Sequence, residues 1–155
     1  MQLSEIPFFP SPNYSSRGGK KITHIVLHCT EGSYPGCKSW LCNPKSQVSA
    51  HYLVNKKGAL TCLVKPENKA WHVVTANGFC LGIEMEGQIA DPQWVTEPMF
   101  NAAAELVAEL MRVYLVPIEN VIEHNDPFLR NYGNNHADCG SFFDLAKFKA
   151  LVETL

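Results

Sequence analysis

Six histidines, at 24, 28, 51, 72, 124 and 136, stand in a chain of 155 residues, and several mark points where apolar runs give way to polar segments. His28 closes the run Ile25-Val26-Leu27, His124 follows Val121-Ile122-Glu123, and His136-Ala137-Asp138-Cys139-Gly140 adds a carboxylate and a thiol close behind a further histidine. A catalytic zinc site takes three protein ligands from neutral imidazole, carboxylate and thiolate, and keeps a fourth position open for water. His28 and His124 are candidates for two of them. The third lies between Asp138 and Cys139, because a thiolate one residue away is itself a strong zinc ligand. Glu84 and Glu86, two residues apart, project to one face of a strand, where a carboxylate can serve as general base. Cys29 beside His28 also admits a cysteine nucleophile with a histidine base, a reading that leaves the segments at His124 and Asp138 without a part.

The elements that must position these groups follow from local pattern. Lys21 to His28 reads as a buried strand that ends at the polar Cys29-Thr30-Glu31-Gly32, and Pro35-Gly36 extends the loop signal. Val48 to Val54 reads as a second strand, Lys56-Lys57-Gly58 as a hairpin turn and Ala59 to Val64 as the returning strand. Phe79 to Glu86 makes a further strand, closed by Gly87. Thr96 stands at the N-cap of a helix opened by Glu97-Pro98, whose apolar residues from Phe100 to Tyr114 recur at helical spacing and pack on the sheet. Val121-Ile122 forms a short strand, His124 to Gly140 is irregular, and a last helix runs from about Phe143 to Leu155. The expected fold is α/β, a single domain with a central mixed β-sheet flanked by helices, over 1–155, with residues 1–20 as an extended arm rich in proline and glycine. His24 and His51 fit packing roles in this scheme.

Composition narrows the function classes. With 46% hydrophobic and 18% charged residues and a formal charge of -2, the chain carries no broad cationic field, which argues against nucleic acid as a partner. No apolar run reaches the 18 or so residues that span a bilayer, so no integral membrane segment is expected. The N-terminus has no basic region followed by an apolar one, so the reading is a cytoplasmic or phage-produced protein acting on its substrate, with a leader-cleaved exported form as the alternative. A monomer is expected. The six cysteines form no CxxC pair; Cys37 and Cys42 lie close enough in sequence for a disulfide, and free thiols are the other reading.

Ile25-Val26-Leu27-His28-Cys29-Thr30, Val48-Ser49-Ala50-His51-Tyr52-Leu53-Val54, Lys69-Ala70-Trp71-His72, Gly82-Ile83-Glu84-Met85-Glu86-Gly87 and Glu123-His124-Asn125-Asp126 resemble, in order, successive blocks of the type 2 amidase family. That family includes phage lysozyme-type amidases, bacterial peptidoglycan-recycling amidases and animal peptidoglycan recognition proteins. Ser11-Pro12-Asn13-Tyr14 and Phe143-Asp144-Leu145 resemble its edges, so the likeness covers nearly the whole chain. It implies an N-acetylmuramoyl-L-alanine amidase that binds Zn2+ and acts on peptidoglycan or soluble muropeptides. The family's zinc histidines fall on His28 and His124. A gapless register of the tail puts its third ligand on Asp138, with Cys139 where proline is usual. Glu84 corresponds to the catalytic glutamate of the recycling branch, and Ala50 replaces the tyrosine of the phage lysozyme-type branch. His136 stands where a lysine is common and is expected to stabilise the developing oxyanion as a hydrogen-bond donor or, when protonated, as a charge. Trp71, His72 and Glu86 are expected to contact substrate, Glu86 through a substrate amine or by orienting a neighbour. A peptidoglycan-binding module without activity is the rival reading; the filled ligand positions and Glu84 favour the enzyme.

Overall fold

The β-branched run before His28 becomes the middle of the sheet, β2 (His24–Cys29), in the computed structural model, which describes residues 1–155. It lies between β6 (Cys80–Met85) and β7 (Val121–Glu123) and is parallel to both. Beyond β6 comes β3 (Tyr52–Val54), also parallel, and β4 (Leu60–Cys62) returns antiparallel, giving the order β4-β3-β6-β2-β7. This is the mixed sheet that the sequence pattern implies. Four strands are shorter than the runs they were read from, since Lys21–Thr23, Val48–His51 and Leu63–Val64 among others lie outside the ladders where the chain turns toward loops, while β7 extends one residue past Val121-Ile122 to Glu123.

Side-chain alternation divides the sheet into two different faces. Ile25, Leu27, Leu81, Ile83 and Met85 point into the main core, against α2 (Glu97–Tyr114) and α4 (Leu145–Val152). Helix α2 buries Met99, Phe100, Ala103, Ala104, Leu106, Val107 and Leu110, one continuous stripe at helical spacing. The opposite face carries Val26, Cys80 and Ile122 in a small cluster under loops, and beyond them toward the C-terminal strand ends it turns polar. That end holds His28 and Glu84.

The segment from Tyr34 to Leu41, read from Pro35-Gly36 as loop, is a helix, α1. Ser33 is its N-cap and accepts from Gly36 N–H, and Pro35 sits in the first turn, where its missing N–H costs nothing. Proline followed by glycine signalled a break; here it marks a helix start. Asp144 caps α4 through Lys147 N–H, so that helix begins two residues later than expected and ends at Val152. Within the irregular stretch after His124, Asp126 caps one short helix, α3 (Pro127–Arg130).

The N-terminal residues are tied down by hydrogen bonds of several kinds. Pro7 O and Phe9 N–H pair with Cys62 across the open side of β4, which covers an edge that would otherwise be free for pairing. Residues Tyr14–Ser16 form β1, antiparallel to β5 (Asn68–Ala70), and the Asn13 amide donates to the carbonyls of Asn43 and Val48. Neither small strand is visible in the sequence pattern, because three residues are too few to show a period. Arg17 goes deepest: its buried guanidinium donates to the carbonyls of Pro66, Asn77, Gly78 and Cys80. Burial draws its pKa down to about 10, so it remains charged at neutral pH. A carbonyl left without its donor costs about 1–3 kcal/mol. Arg17→Met is therefore expected to lower stability by at least about 3 kcal/mol, read as a drop in urea midpoint; an unchanged midpoint would show that these four bonds are replaceable by water.

Candidate metal centre and active cleft

His28 and Glu84 are direct neighbours across the parallel ladder, since β2 and β6 pair in the register His28↔Glu84. His124 follows β7 immediately, and its N–H donates to Leu27 O, so it lies level with His28. The loop after it returns to the same place: Asn125 N–H donates to Asp138 O at 2.8 Å and the Asn125 amide to Ala137 O at 3.3 Å. These bonds bring a residue fourteen positions beyond His124 back beside it. Cys29 N–H completes the placement by donating to Asp138 Oδ2 at 3.2 Å.

The result is a buried triad. His28 Nδ1 and His124 Nδ1 are 3.0 Å apart, His28 Nδ1 is 3.5 Å from Asp138 Oδ2, and His124 Nδ1 is 3.2 Å from Asp138 Oδ1. Zinc bonds of about 2.0–2.1 Å at tetrahedral angles require ligand atoms about 3.3 Å apart, so the spacing fits that ion. The tautomers fit as well. His124 Nε2 donates to Asn134 Oδ1 at 3.0 Å, and the Asn134 amide nitrogen donates to the carbonyls of Val73 and Leu129, which fixes the amide's orientation. With its proton on Nε2, His124 presents the lone pair of Nδ1 to the triad. Asn134 was not singled out from sequence; its neighbour Asn135 and the surrounding loop composition make it look like any solvated asparagine.

Charge and burial are set against each other here. Burial alone would raise the Asp138 pKa, but the His124 and His28 imidazoles that face it outweigh burial and hold the carboxyl well below the usual range. Burial pulls His28 down to about 4, against the favourable pull of Asp138. Glu84 has no such partner: one carboxyl oxygen is buried without a hydrogen bond, and burial, then the nearby Asp138, push it up to about 8. At this proton affinity Glu84 holds its proton at neutral pH, and a cation held by the neighbouring triad would draw the affinity down into the range of a general base.

The triad and Glu84 line a cleft of about 440 Å³, with Trp71, His72 and His136 also on its walls. A larger concavity of about 730 Å³, between residues 16–23 and the end of α2, is lined by Arg17, Lys20, Lys21, Glu67 and Tyr114 among others and holds none of the triad. His136 stacks on His124 with ring centroids 4.0 Å apart, and its Nδ1 is 3.9 Å from Asp138 Oδ1. Partial burial, then His124, draws its pKa down, so at neutral pH it is mainly a neutral donor and not a cation. Trp71 donates from Nε1 to Ser15 Oγ, which fixes the ring at the cleft wall. Glu86 lies outside the cleft lining: its two oxygens accept from Tyr34 N–H and Lys56 N–H, so it holds the start of α1 and the hairpin turn. Cys139 is fully buried in the main core and its pKa is raised well above the ordinary value by burial, so it stays a thiol away from the triad. Cys37 and Cys42 are free thiols.

The sequence profile of the N-acetylmuramoyl-L-alanine amidase family matches residues 18–141, which include His28, Glu84, His124 and Asp138. The chain belongs to this family. It is 40% identical over 101 residues to N-acetylmuramoyl-L-alanine amidase A of Achromobacter lyticus, covering 64% of this chain and 56% of that protein. It is 29% identical over 114 residues to 1,6-anhydro-N-acetylmuramyl-L-alanine amidase AmpD of Escherichia coli, covering 68% of this chain and 59% of the relative. The matched region thus spans little more than half the length of these amidases. Among solved structures, a selenomethionine derivative of AmpD superposes with a TM-score of 0.80 at 24% identity, covering 97% of this chain and 96% of that one. The amidase AmiD of E. coli, solved with anhydro-N-acetylmuramic acid-L-Ala-D-γ-Glu-L-Lys, superposes with a TM-score of 0.73 at 22% identity over 86% of this chain and 59% of that one. These likenesses show that the amidase fold is shared. No helix here is long and apolar enough to cross a membrane.

A buried histidine beneath the cleft gives this family member an acid-sensitive fold. His51 accepts from Gly82 N–H at 2.9 Å and has Arg17 2.8 Å away; burial, then the guanidinium, lower its pKa from 6.5 to about 3. The unfolded chain takes up this proton as pH falls below about 6.5 and the folded chain does not until about 3. Stability is therefore full above that window and declines through it. The thermal midpoint is expected to fall steadily from pH 6.5 to 4, and less steeply in His51→Gln; a midpoint independent of pH from 7 to 5 would contradict the assignment.

Proposed function

We propose that this chain is a zinc-dependent N-acetylmuramoyl-L-alanine amidase that hydrolyses the lactyl amide joining N-acetylmuramic acid to L-alanine in peptidoglycan or its soluble fragments. One observation carries the reading: two imidazoles and a carboxylate converge at zinc-ligand spacing, with an unpartnered glutamate one strand away, in a chain of the amidase family.

His28, His124 and Asp138 hold the ion in this reading. The zinc they would hold would supply Lewis acidity toward water and the amide carbonyl. Glu84 takes the proton from the attacking water and returns it to the alanine nitrogen as the carbon–nitrogen bond breaks, so the products are a lactyl carboxylate and a free α-amine. His136, exposed on one side and stacked on His124 on the other, donates to the oxygen that gains charge, in the place where the family often carries lysine. Its lowered pKa supports donation by the neutral ring. Trp71 offers an aromatic wall to the substrate. The relatives' named substrates, anhydromuramyl peptides, support a muramyl peptide as the ligand class.

Removal of the ion with a chelator is expected to abolish release of stem peptide from purified cell wall or a soluble muropeptide, and zinc to restore it. Glu84→Gln is expected to keep stoichiometric zinc and lose about 100-fold or more in kcat. Zinc bound by the parent chain without cleavage of either substrate would instead identify a binding module. Equal turnover by Glu84→Gln would remove Glu84 from the role of base. The ratio of turnover on intact sacculus to turnover on the muropeptide separates a wall-degrading enzyme from a recycling one.

A further inference from the structure

His72, expected at the substrate, lines the cleft, and its contacts also turn it toward His28. Its Nδ1 lies 2.9 Å from His28 Nε2, on the side of His28 away from the triad. With His28 Nδ1 facing Asp138 and His124, the proton of the neutral ring sits on Nε2, and His72 Nδ1 is the acceptor that faces it. This matches what Asn134 does for His124: each histidine of the triad has its outer nitrogen bonded to a neighbouring side chain.

His72 is itself tightly placed. Its backbone N–H and that of Val73 donate to Asn77 Oδ1, at 2.8 and 2.6 Å. Its ring lies flat on Gly82, so close that a Cβ there would meet Nδ1 at 2.6 Å and Cγ at 2.8 Å. Gly82 has no positive φ; it is glycine at this central-strand position because an imidazole covers its backbone. His51 packs edge-on from the other side, with centroids 5.6 Å apart. With Nδ1 accepting, the ring's own proton is on Nε2, a buried atom with no protein partner. A buried N–H left unpaired is costly, and the arrangement that accepts this cost is the one that keeps Nδ1 free to receive His28.

We propose that His72 is a positioning residue: by accepting the Nε2 proton of His28 it locks that ligand's tautomer and ring plane, and Gly82 provides the space that sets His72 at the required height. The inference rests on the metal-site reading above. Outer partners of this kind are worth about 10–100-fold in metal affinity.

The test measures zinc affinity of the full chain by competition with a chromophoric chelator. His72→Phe, which removes the acceptor, and Gly82→Ala, which removes no polar group but displaces the ring, are each expected to weaken zinc binding about 10–100-fold, alongside a lower urea midpoint from the unpaired donor or the crowding. His72→Asn, whose amide oxygen can accept, is expected to recover part of the loss. Turnover at saturating zinc should fall in kcat with KM unchanged. Parent-like zinc affinity in His72→Phe overturns the proposal, and a rise in KM alone returns His72 to the substrate. If the variants do not fold, ¹⁵N spectra of the zinc-loaded parent decide: a hydrogen-bonded proton on His28 Nε2 supports the proposal, and a proton on Nδ1 overturns it. A parent chain that binds no zinc overturns the metal site and this inference together, whereas tight parent binding with a parent-like His72→Phe overturns this inference alone.

Discussion

The parallel register of β2 against β6 is the constraint on which the remaining structure depends. It sets His28 opposite Glu84, and because side chains alternate, the same register sends Ile25, Leu27, Leu81, Ile83 and Met85 to the other face beneath α2. A slip of one residue would bury both chemical groups in the core and expose the apolar set. Each of those apolar side chains contributes about 1.5–3 kcal/mol by its burial, so the register is held by far more energy than the polar site contains. The chemical groups are placed by the core, and have little part in placing it. Helix α2, which touches none of the triad, is in this sense the element that aims His28.

The polar face works under the opposite condition, since every group brought there has to be matched. Neutral imidazoles are the least costly titratable groups to bury, and burial holds His28, His51 and His72 in that form. Asp138 is the ionised member of the triad, held so by the two histidines beside it. Glu84, one strand away, lacks such donors and keeps its proton to a far higher pH. Two carboxyl groups in one cleft are thus separated in proton affinity by their hydrogen bonds, one suited to hold a cation and one to exchange a proton.

The main strands and the long helix were legible because their signals are local and repeated, as in the β-branched run before His28 and the eighteen-residue stripe from Glu97 to Tyr114, whereas the order of strands in the sheet has no such local signal. Ligand candidates were legible from strand ends and from the resemblance. The choice of Asp138 over Cys139 rested on register alone in the sequence; the fold gives it a physical basis, because the thiol turns into the core among apolar side chains while the carboxyl accepts from Cys29 N–H. Helix α1 was missed because Pro35 and Gly36 have opposite meanings at a helix start and in a turn, and only the Ser33 cap distinguishes them. Glu86, Asn134 and His72 make contacts across 52, 61 and 44 residues of sequence, to Tyr34, Val73 and His28 respectively, and no local pattern encodes a partner that distant.

Backbone conformation adds a reason why the cleft should be rigid. Four residues other than glycine have positive φ, and three of them, Glu31, Gln47 and Val74, line the cleft, at φ 52, 56 and 52. For the β-branched Val74 this conformation is the most costly, about 1–3 kcal/mol, and it persists only where neighbours hold it. The neighbours are identifiable: Asn77 Oδ1 accepts from His72 and Val73 N–H just before it, and Thr75 Oγ1 donates to Tyr132 O just after. Glu31 is fixed by accepting from Ile89 N–H. Asn134 then links the Val73 carbonyl to His124, so the strained rim and the triad share hydrogen bonds. On the far side, Arg17 binds the carbonyls of Asn77, Gly78 and Cys80, at the end of the same turn. The turn from His72 to Cys80 is therefore fastened at both ends, by the N-terminal arm and by the triad's own support. It carries the imidazole that faces His28, and a turn so fastened can hold that ring in place without help from substrate.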